Sequence, residues 1–157
     1  MSAAPLLATI DRHLQADPPA WDALLAELLR HFDCVVATLH VLDDDNLLRL
    51  TADRGLPPPV RDKVASVPIG KGMAGIAAER REPVQVCNLQ TDDSGVVRPG
   101  AKLTQMQGSI ALPMLLDGHL HGVLGVAKPA AYEFSADETA LLMTIGERAA
   151  AALARGD

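Results

Sequence analysis

The segment that most limits how this chain can fold is a pair of apolar runs joined by Asp117–Gly118. Residues 109–116 read SIALPMLL and residues 119–127 read HLHGVLGVA. An Asp-Gly pair between two apolar runs is the strongest short-range signal for a β-hairpin, because the tightest turns need positive φ at their central positions. Nearly every residue of both runs is apolar, so neither strand can turn a face to water. The hairpin therefore belongs in the middle of a sheet covered on both sides. Pro113 has no N–H for a ladder, which predicts a bulge or an unpaired position there.

A second hairpin precedes it. Residues 34–42 (CVVATLHVL) are rich in β-branched side chains and apolar on both sides, as a covered central strand should be. Asp43-Asp44-Asp45-Asn46 is turn chemistry. In the return strand, 47–53, Leu48, Leu50 and Ala52 alternate with Leu47, Arg49, Thr51 and Asp53.

Helical spacing marks the chain ends. Leu6, Leu7, Ile10 and Leu14 predict a first helix over 5–16, which Asp17-Pro18-Pro19 interrupts. Trp21, Leu24, Leu25, Leu28, Leu29 and Phe32 predict a second, capped by Asp17 or a neighbour with the prolines in its first turn. Ser135-Ala136-Asp137-Glu138 has capping-box spacing and opens a last helix that buries Leu141, Leu142, Ile145, Ala149, Ala152 and Leu153 and ends at Gly156. That burial is the simpler use of the small Ala149–Ala152 surface, although it also allows close helix packing in a dimer.

Between the hairpins, Gly55-Leu56-Pro57-Pro58-Pro59 leads to a short helix at 60–64. Pro68 to Glu79 is a glycine-punctuated turn running into a helix, and 83–87 is a short strand. Residues 88–107 are irregular at first, with a short helix expected over 101–107. A loop of that length is uncommon unless it covers something or carries function. Helices at both ends around antiparallel hairpins give an α+β domain. Its central antiparallel sheet should hold five to six strands, with the terminal helices on one face and a lid over the other.

Composition bounds the rest. The 157 residues are 48% hydrophobic and only 3% aromatic, so the core must be aliphatic. A net charge of −6 with no basic cluster excludes sequence-independent nucleic-acid binding; Arg80–Arg81, flanked by Glu79 and Glu82, reads as a solvated helix end. No apolar run is long enough to span a bilayer and no leader pattern opens the chain. Cys34 and Cys87 stand far apart, which suits a reducing cytoplasm; they read as two small buried apolar residues, with a bridge between them left open.

Three stretches, in order, resemble the GAF domain family: Val67-Pro68-Ile69-Gly70-Lys71-Gly72-Met73-Ala74-Gly75, then Gly118-His119-Leu120-His121-Gly122-Val123-Leu124-Gly125-Val126, then Phe134-Ser135-Ala136-Asp137-Glu138 with its alanine-rich helix. The resemblance runs from about Trp21 to Leu153. It implies a single domain over 1–157 with a core at about 21–153, a GAF/PAS-like (profilin-like) sheet, a small-molecule pocket on one face, and often dimers through the terminal helices. The fold serves many tasks and does not by itself give the function; a bacterial-type sensory or regulatory role is expected, and not an enzyme, because the catalytic cysteines of the family's reductase branch are absent.

Specific branches of the family find partial matches. Cyclic-nucleotide-binding members carry an Asn-Lys pair after the last strand; here Lys128 is present, but Ala127 replaces the Asn, and Phe134, Asp137 and Glu138 equally suit a helix cap. The free methionine-(R)-sulfoxide reductase branch has cysteines after the glycine-lysine-glycine turn and in the lid. Here those places hold Ala74 and a cysteine-free 88–107, although Cys87 lies just before it. A bilin needs a lid cysteine and aromatic packing that this chain lacks, and no histidine is singled out for haem, so no cofactor is expected. His119 and His121 share a strand face beside Asp117, but no third ligand has metal-site spacing, so no metal is expected. His13 and His31 read as helix-face and helix-end residues. Gly70-Lys71-Gly72 does not fit a P-loop, though the helix it opens has an N-terminus that attracts anions.

The resemblance places a pocket between the sheet, the helix starting near Gly72 and the 88–107 segment. Candidate lining residues are His40, Met73, Ile76, Asp92, Arg98, Lys102, Gln105, Met106 and Ser109. No nucleophile elbow or catalytic carboxylate pair is present. The expected function is a cytoplasmic sensor of an unidentified small molecule that signals through a homodimer or a separate signalling protein. The alternative is an interaction or dimerisation module without ligand, and a distant alternative is a free methionine-(R)-sulfoxide reductase-like enzyme.

Overall fold

The structure, a computed structural model, describes residues 3–92 and 105–156. Their elements run α1 (Ala4–Gln15), α2 (Trp21–Phe32), β1 (Val36–Leu42), β2 (Leu47–Arg54), α3 (Pro58–Val64), β3 (Ser66–Pro68), α4 (Gly72–Arg80), β4 (Val84–Val86), β5 (Gly108–Leu116), β6 (His119–Lys128) and α5 (Ala136–Arg155). The described strands form one six-stranded sheet in the order β3-β2-β1-β6-β5-β4, with every neighbouring pair antiparallel. The α+β class, the sheet and the helix-backed face agree with the sequence expectation.

The β5–β6 hairpin turns at Asp117 (φ 52°) and Gly118 (φ 80°), the pair of positive φ values that a type I′ connection demands. Its two strands lie inside the sheet, β6 beside β1 and β5 beside β4. Pro113 sits one residue before the register shift at Met114/Leu115. The β4 ladder reaches only Ser109–Ala111, so among the described residues no strand is paired with β5 at Pro113 on that side.

The β1–β2 hairpin carries a bulge that alternation alone did not reveal. Leu39 pairs with Ala52 and His40 with Leu50, leaving Thr51 as the extra residue. The even-numbered set is thereby split. Leu48 and Leu50 pack in the clusters on one face of the sheet, whereas Ala52 packs with the helices on the other.

The helix-backed face holds the main core. Ala37 and Leu39 of β1, Ile110, Leu112 and Met114 of β5, and Leu124 and Val126 of β6 meet Leu24, Leu25 and Leu28 of α2 and Leu142, Ile145 and Ala149 of α5. Burying each such leucine fully contributes roughly 1.5–3 kcal/mol. α1 lies against α2 and α5 through Leu6, Ile10 and Leu14, and an Arg148–Asp11 ion pair of 2.6 Å links α5 to α1. Ala149 and Ala152 are buried in this core, so the small surface of α5 is used within the domain. α5 starts with the full capping box: Glu138 N–H donates to Ser135 Oγ (3.0 Å) and Ser135 N–H to Glu138 Oε1 (2.9 Å).

Several local expectations are corrected. α2 is preceded by Ala20 with no side-chain cap, because Pro18 and Pro19 stay outside the helix and Asp17 is too far from its first turn. β3 went unrecognised: three residues ending in proline give almost no periodic signal. Residues 105–107 are not helical, since Leu89 N–H donates to Gln107 O (2.7 Å) and Gln107 N–H to Lys128 O (2.8 Å); residues 101–104 lie outside the described residues. Cys34 is buried, but Cys87, just past β4, is exposed, and both are free thiols. The αL C-cap of α4, Arg81, donates from Nη1 to Gly118 O at 2.5 Å, so it braces the distant hairpin turn. Among the described residues no helix is long and apolar enough to cross a membrane.

Candidate functional site

The other face of the same sheet borders a cavity of about 330 Å³. Its floor is set by register. Val36, Thr38 and His40 of β1 lie opposite Ala127, Gly125 and Val123 of β6, and Ala127 and Gly125 lie opposite Ser109 and Ala111 of β5. Period-two alternation turns all of these to one side, and all eight line the cavity. Apart from His40, they are small or short side chains. Gly125 is the extreme case: a Cβ there would stand 2.8 Å from Thr38 Oγ1.

The roof is built from short elements. Leu56, Val60, Lys63 and Val64 come from α3 and its approach, Val67 from β3, and Leu89 from the segment after β4. Lys71, Gly72, Met73 and Ala74 form the start of α4. Gly70 (φ 91°) and Gly72 (φ 67°) allow the chain to turn sharply into that helix, a conformation other residues rarely adopt. Lys71 is the N-cap and makes no side-chain cap bond. The first-turn N–H groups of α4 therefore lack intrahelical partners.

His40 is the buried polar residue of this face, 3% exposed. Its Nε2 lies 2.8 Å from Val64 O. A carbonyl only accepts, so Nε2 carries the proton and donates. Burial pushes the His40 pKa down, against the opposing effects of the Val64 hydrogen bond and the Asp53 charge. The ring is thus neutral near pH 7, and Nδ1 is left as a buried acceptor with no partner. Thr38 and Ser109 also face the cavity with hydroxyls that bond to nothing among the described residues.

Of the candidate residues read from sequence, His40, Met73 and Ser109 line the cavity. Ile76 packs instead in the cluster around Val67 and Ala77, and Met106 packs beside Leu56 and Val60. Asp92 is half-buried and Gln105 exposed, and neither lines the cavity. Arg98 and Lys102 lie outside the described residues. Sequence reasoning missed Thr38, Gly125, Lys63 and Lys71. The i, i+2, i+4 sets Val36/Thr38/His40 and Val123/Gly125/Ala127 carried the signal for the floor, but both strands looked uniformly buried, which hid the difference between their faces.

The branch-specific residues serve structure. Lys128 Nζ donates to Phe32 O (2.6 Å) and sits 4.1 Å from the Tyr132 ring centroid. Tyr132 Oη donates to Glu138 (2.6 Å), and Phe134 is buried in the helix-backed core. Neither cysteine lines the cavity, and burial pushes the Cys34 thiol up to about 11. His119 is exposed, and among the described residues no cluster of three metal-ligating side chains forms.

Comparison with solved structures places this architecture among GAF domains. The GAF domain of a phosphoenolpyruvate-protein phosphotransferase from Coxiella burnetii is 22% identical, with 98% of this chain and 93% of that chain covered and a TM-score of 0.82. The nlh2 GAF domain of A. aeolicus in an inactive state is 20% identical, with 98% and 96% covered and a TM-score of 0.75. The free methionine-R-sulfoxide reductase of Neisseria meningitidis, in complex with its substrate, is 19% identical, with 94% and 86% covered and a TM-score of 0.75. A search of curated protein sequences finds no match. The family model described as GAF domain matches residues 21–154. From α2 to the end of α5, the chain belongs to the GAF domain family.

Proposed function

We propose that this domain is a cytoplasmic, non-catalytic sensor that binds a small molecule in the cavity between the β1–β6–β5 floor and the α3–α4 roof. It would report occupancy through contacts with a separate signalling protein or a second copy of itself. The single observation that carries the reading is the cavity, about 330 Å³ and lined mainly by apolar side chains with a few polar groups. That is the size and make-up of a small-molecule site. His40, Met73 and Ser109 are proposed as contacts. Non-catalysis is supported by the chemistry of the lining: the chain's two thiols are both outside it, so the cysteine chemistry of the reductase relative has no counterpart at this site.

A thermal-shift screen of nucleotides, amino acids and organic acids tests the proposal. A cognate compound at a hundredfold excess over its Kd stabilises the fold by about 2.7 kcal/mol, and its amide chemical-shift changes should centre on Thr38, Ala74 and Gly125. A screen in which nothing stabilises the fold, or in which hits map to other surfaces, argues for the interaction-module alternative. Turnover of free methionine sulfoxide that disappears in Cys87→Ser would overturn the non-catalytic reading.

A further inference from the structure

The cavity is distinguished by the side chains the fold keeps out of it. The chain's Trp, Tyr and Phe residues are Trp21, Phe32, Tyr132 and Phe134, and all four pack in the helix-backed core. None remains to stack on a ligand from the other side of the sheet, and residues 93–104 include no aromatic residue. The lining is built from valine, leucine, isoleucine and alanine side chains with Met73 at the start of α4. His40 does not change that character. Its Nε2–H is committed to Val64 O and its Nδ1 is sealed from the surface, so neither ring nitrogen is open to a ligand. The charged residues of the lining, Lys63 and Lys71, are both exposed, and water can solvate their ammonium groups.

One polar group is uncovered in the floor. A glycine inside a strand often marks a place where another backbone or a ligand comes close. At Gly122 the reason is backbone: an added Cβ would stand 2.1 Å from His40 O. At Gly125 it is not. Its φ is not positive, and the nearest backbone atom to a Cβ there would be Ile110 O at 3.7 Å, an ordinary contact. The atom such a Cβ would crowd is Thr38 Oγ1, at 2.8 Å. The missing side chain at 125 thus leaves the Thr38 hydroxyl open, and that hydroxyl has no partner among the described residues.

Resting on the sensor reading above, we infer that the ligand is a non-aromatic, aliphatic molecule whose one hydrogen-bonding group meets the Thr38 hydroxyl over Gly125. An apolar cavity of about 150 Å³ takes up benzene. A cavity of about 330 Å³ therefore suits roughly a dozen non-hydrogen atoms. The aliphatic body lies against Val36, Ala111 and Val123. Flat heteroaromatic rings are disfavoured, because their polar edges lose water and find neither a stacking partner nor enough donors and acceptors.

The probes are butanamide, hexanamide and octanamide, with adenine as a flat heteroaromatic the size of octanamide. Binding is followed by NMR at Ala111, Val123 and Gly125. Each buried CH₂ contributes about fourfold in affinity, so hexanamide should bind about fifteenfold more tightly than butanamide. Adenine should bind more weakly than octanamide. Thr38→Val removes the hydroxyl and keeps the branched shape. It should weaken hexanamide about fivefold and leave the gain per carbon unchanged. Ala111→Leu should abolish binding of every amide.

A gain below about threefold from butanamide to hexanamide would leave the chain in water and overturn the aliphatic assignment. So would amide binding that survives Ala111→Leu. Equal binding to wild type and Thr38→Val overturns the role of the hydroxyl. Adenine that shifts the same residues and binds as tightly as octanamide overturns the ligand class while leaving the sensor reading intact. If no amide perturbs the cavity, the ligand class is again wrong, and the sensor reading is decided by the wider screen.

Discussion

The two faces of the central sheet are made by the same strands yet built on opposite rules. On the helix-backed face, β1, β5 and β6 present Leu39, Leu112, Met114 and Leu124, and two long helices, α2 and α5, seal them. On the cavity face the alternate residues are Thr38, Ala111, Gly125 and Ala127, roofed by the short α3 and α4. One face has bulk and long elements to hold it. The other has small side chains, short elements and about 330 Å³ of space. The difference puts the packing that stabilises the domain on one side and leaves the other, where binding is proposed, free to vary without unfolding the domain.

The strongest way to break this comparison is a matched truncation. Leu124→Ala, on the dense face of β6, should cost about 2–5 kcal/mol in urea unfolding, since a sealed core cannot collapse onto the space left behind. A loss well below that range would mean the helix-backed face is no better packed than its opposite. The next effect in size is Ser135→Ala, which removes half of the capping box that starts α5 and should cost about 1 kcal/mol. Glu138→Gln, which keeps the reciprocal bond to Ser135 N–H, should cost less than Ser135→Ala. If the two costs were reversed, the charge of Glu138 and its bond from Tyr132 would matter more than the cap.

On the cavity face the expected stability change is smaller still. Ala111→Leu places added carbons into open space, so stability should move by less than about 1 kcal/mol, while binding of any cavity ligand should be lost. A cost equal to that of Leu124→Ala would show that the space is not available and the two faces are alike.

Much of the dense face was legible in the sequence, and much of the cavity face was not. The helix spacing of Leu24, Leu25 and Leu28, the Asp117–Gly118 turn and the Ser135/Glu138 box each state a local rule that the fold obeys. The cavity depends instead on which small residues fall opposite one another across strands far apart in sequence. Thr38 faces Gly125, and Gly125 faces Ala111, only because the β1–β6 and β5–β6 registers place them so. His40 could be proposed as a lining residue from its strand. Its committed Nε2 could not, because Val64 is 24 residues away and reaches it only when α3 folds over the sheet. Nothing in the sequence set Lys63 and Lys71 apart from other basic residues; the structure puts both beside one cavity whose lining, among the described residues, holds no carboxylate.

The smallest expected effect is a pH dependence that tests how well the cavity face shields its floor. Burial lowers the His40 pKa below 6.5, its value in the unfolded chain, with the Val64 bond and the Asp53 charge working the other way. Above about pH 6.5 both states hold the ring neutral, so His40 adds no pH dependence. Below that value the unfolded chain takes up the proton first, and stability falls until the folded-state pKa is passed, after which this contribution is flat. Wild type and His40→Phe should therefore lose stability differently between about pH 7.5 and about pH 5.5. Both share the titration of the exposed aspartates, but wild type alone carries the histidine contribution. The phenylalanine variant also loses the bond to Val64 O, which offsets its stability at every pH without bending the profile. Parallel profiles would mean that water reaches the His40 ring in the folded state and protonates it as readily as in the unfolded chain. The cavity floor would then be wet, and its orphaned acceptor would be satisfied by solvent.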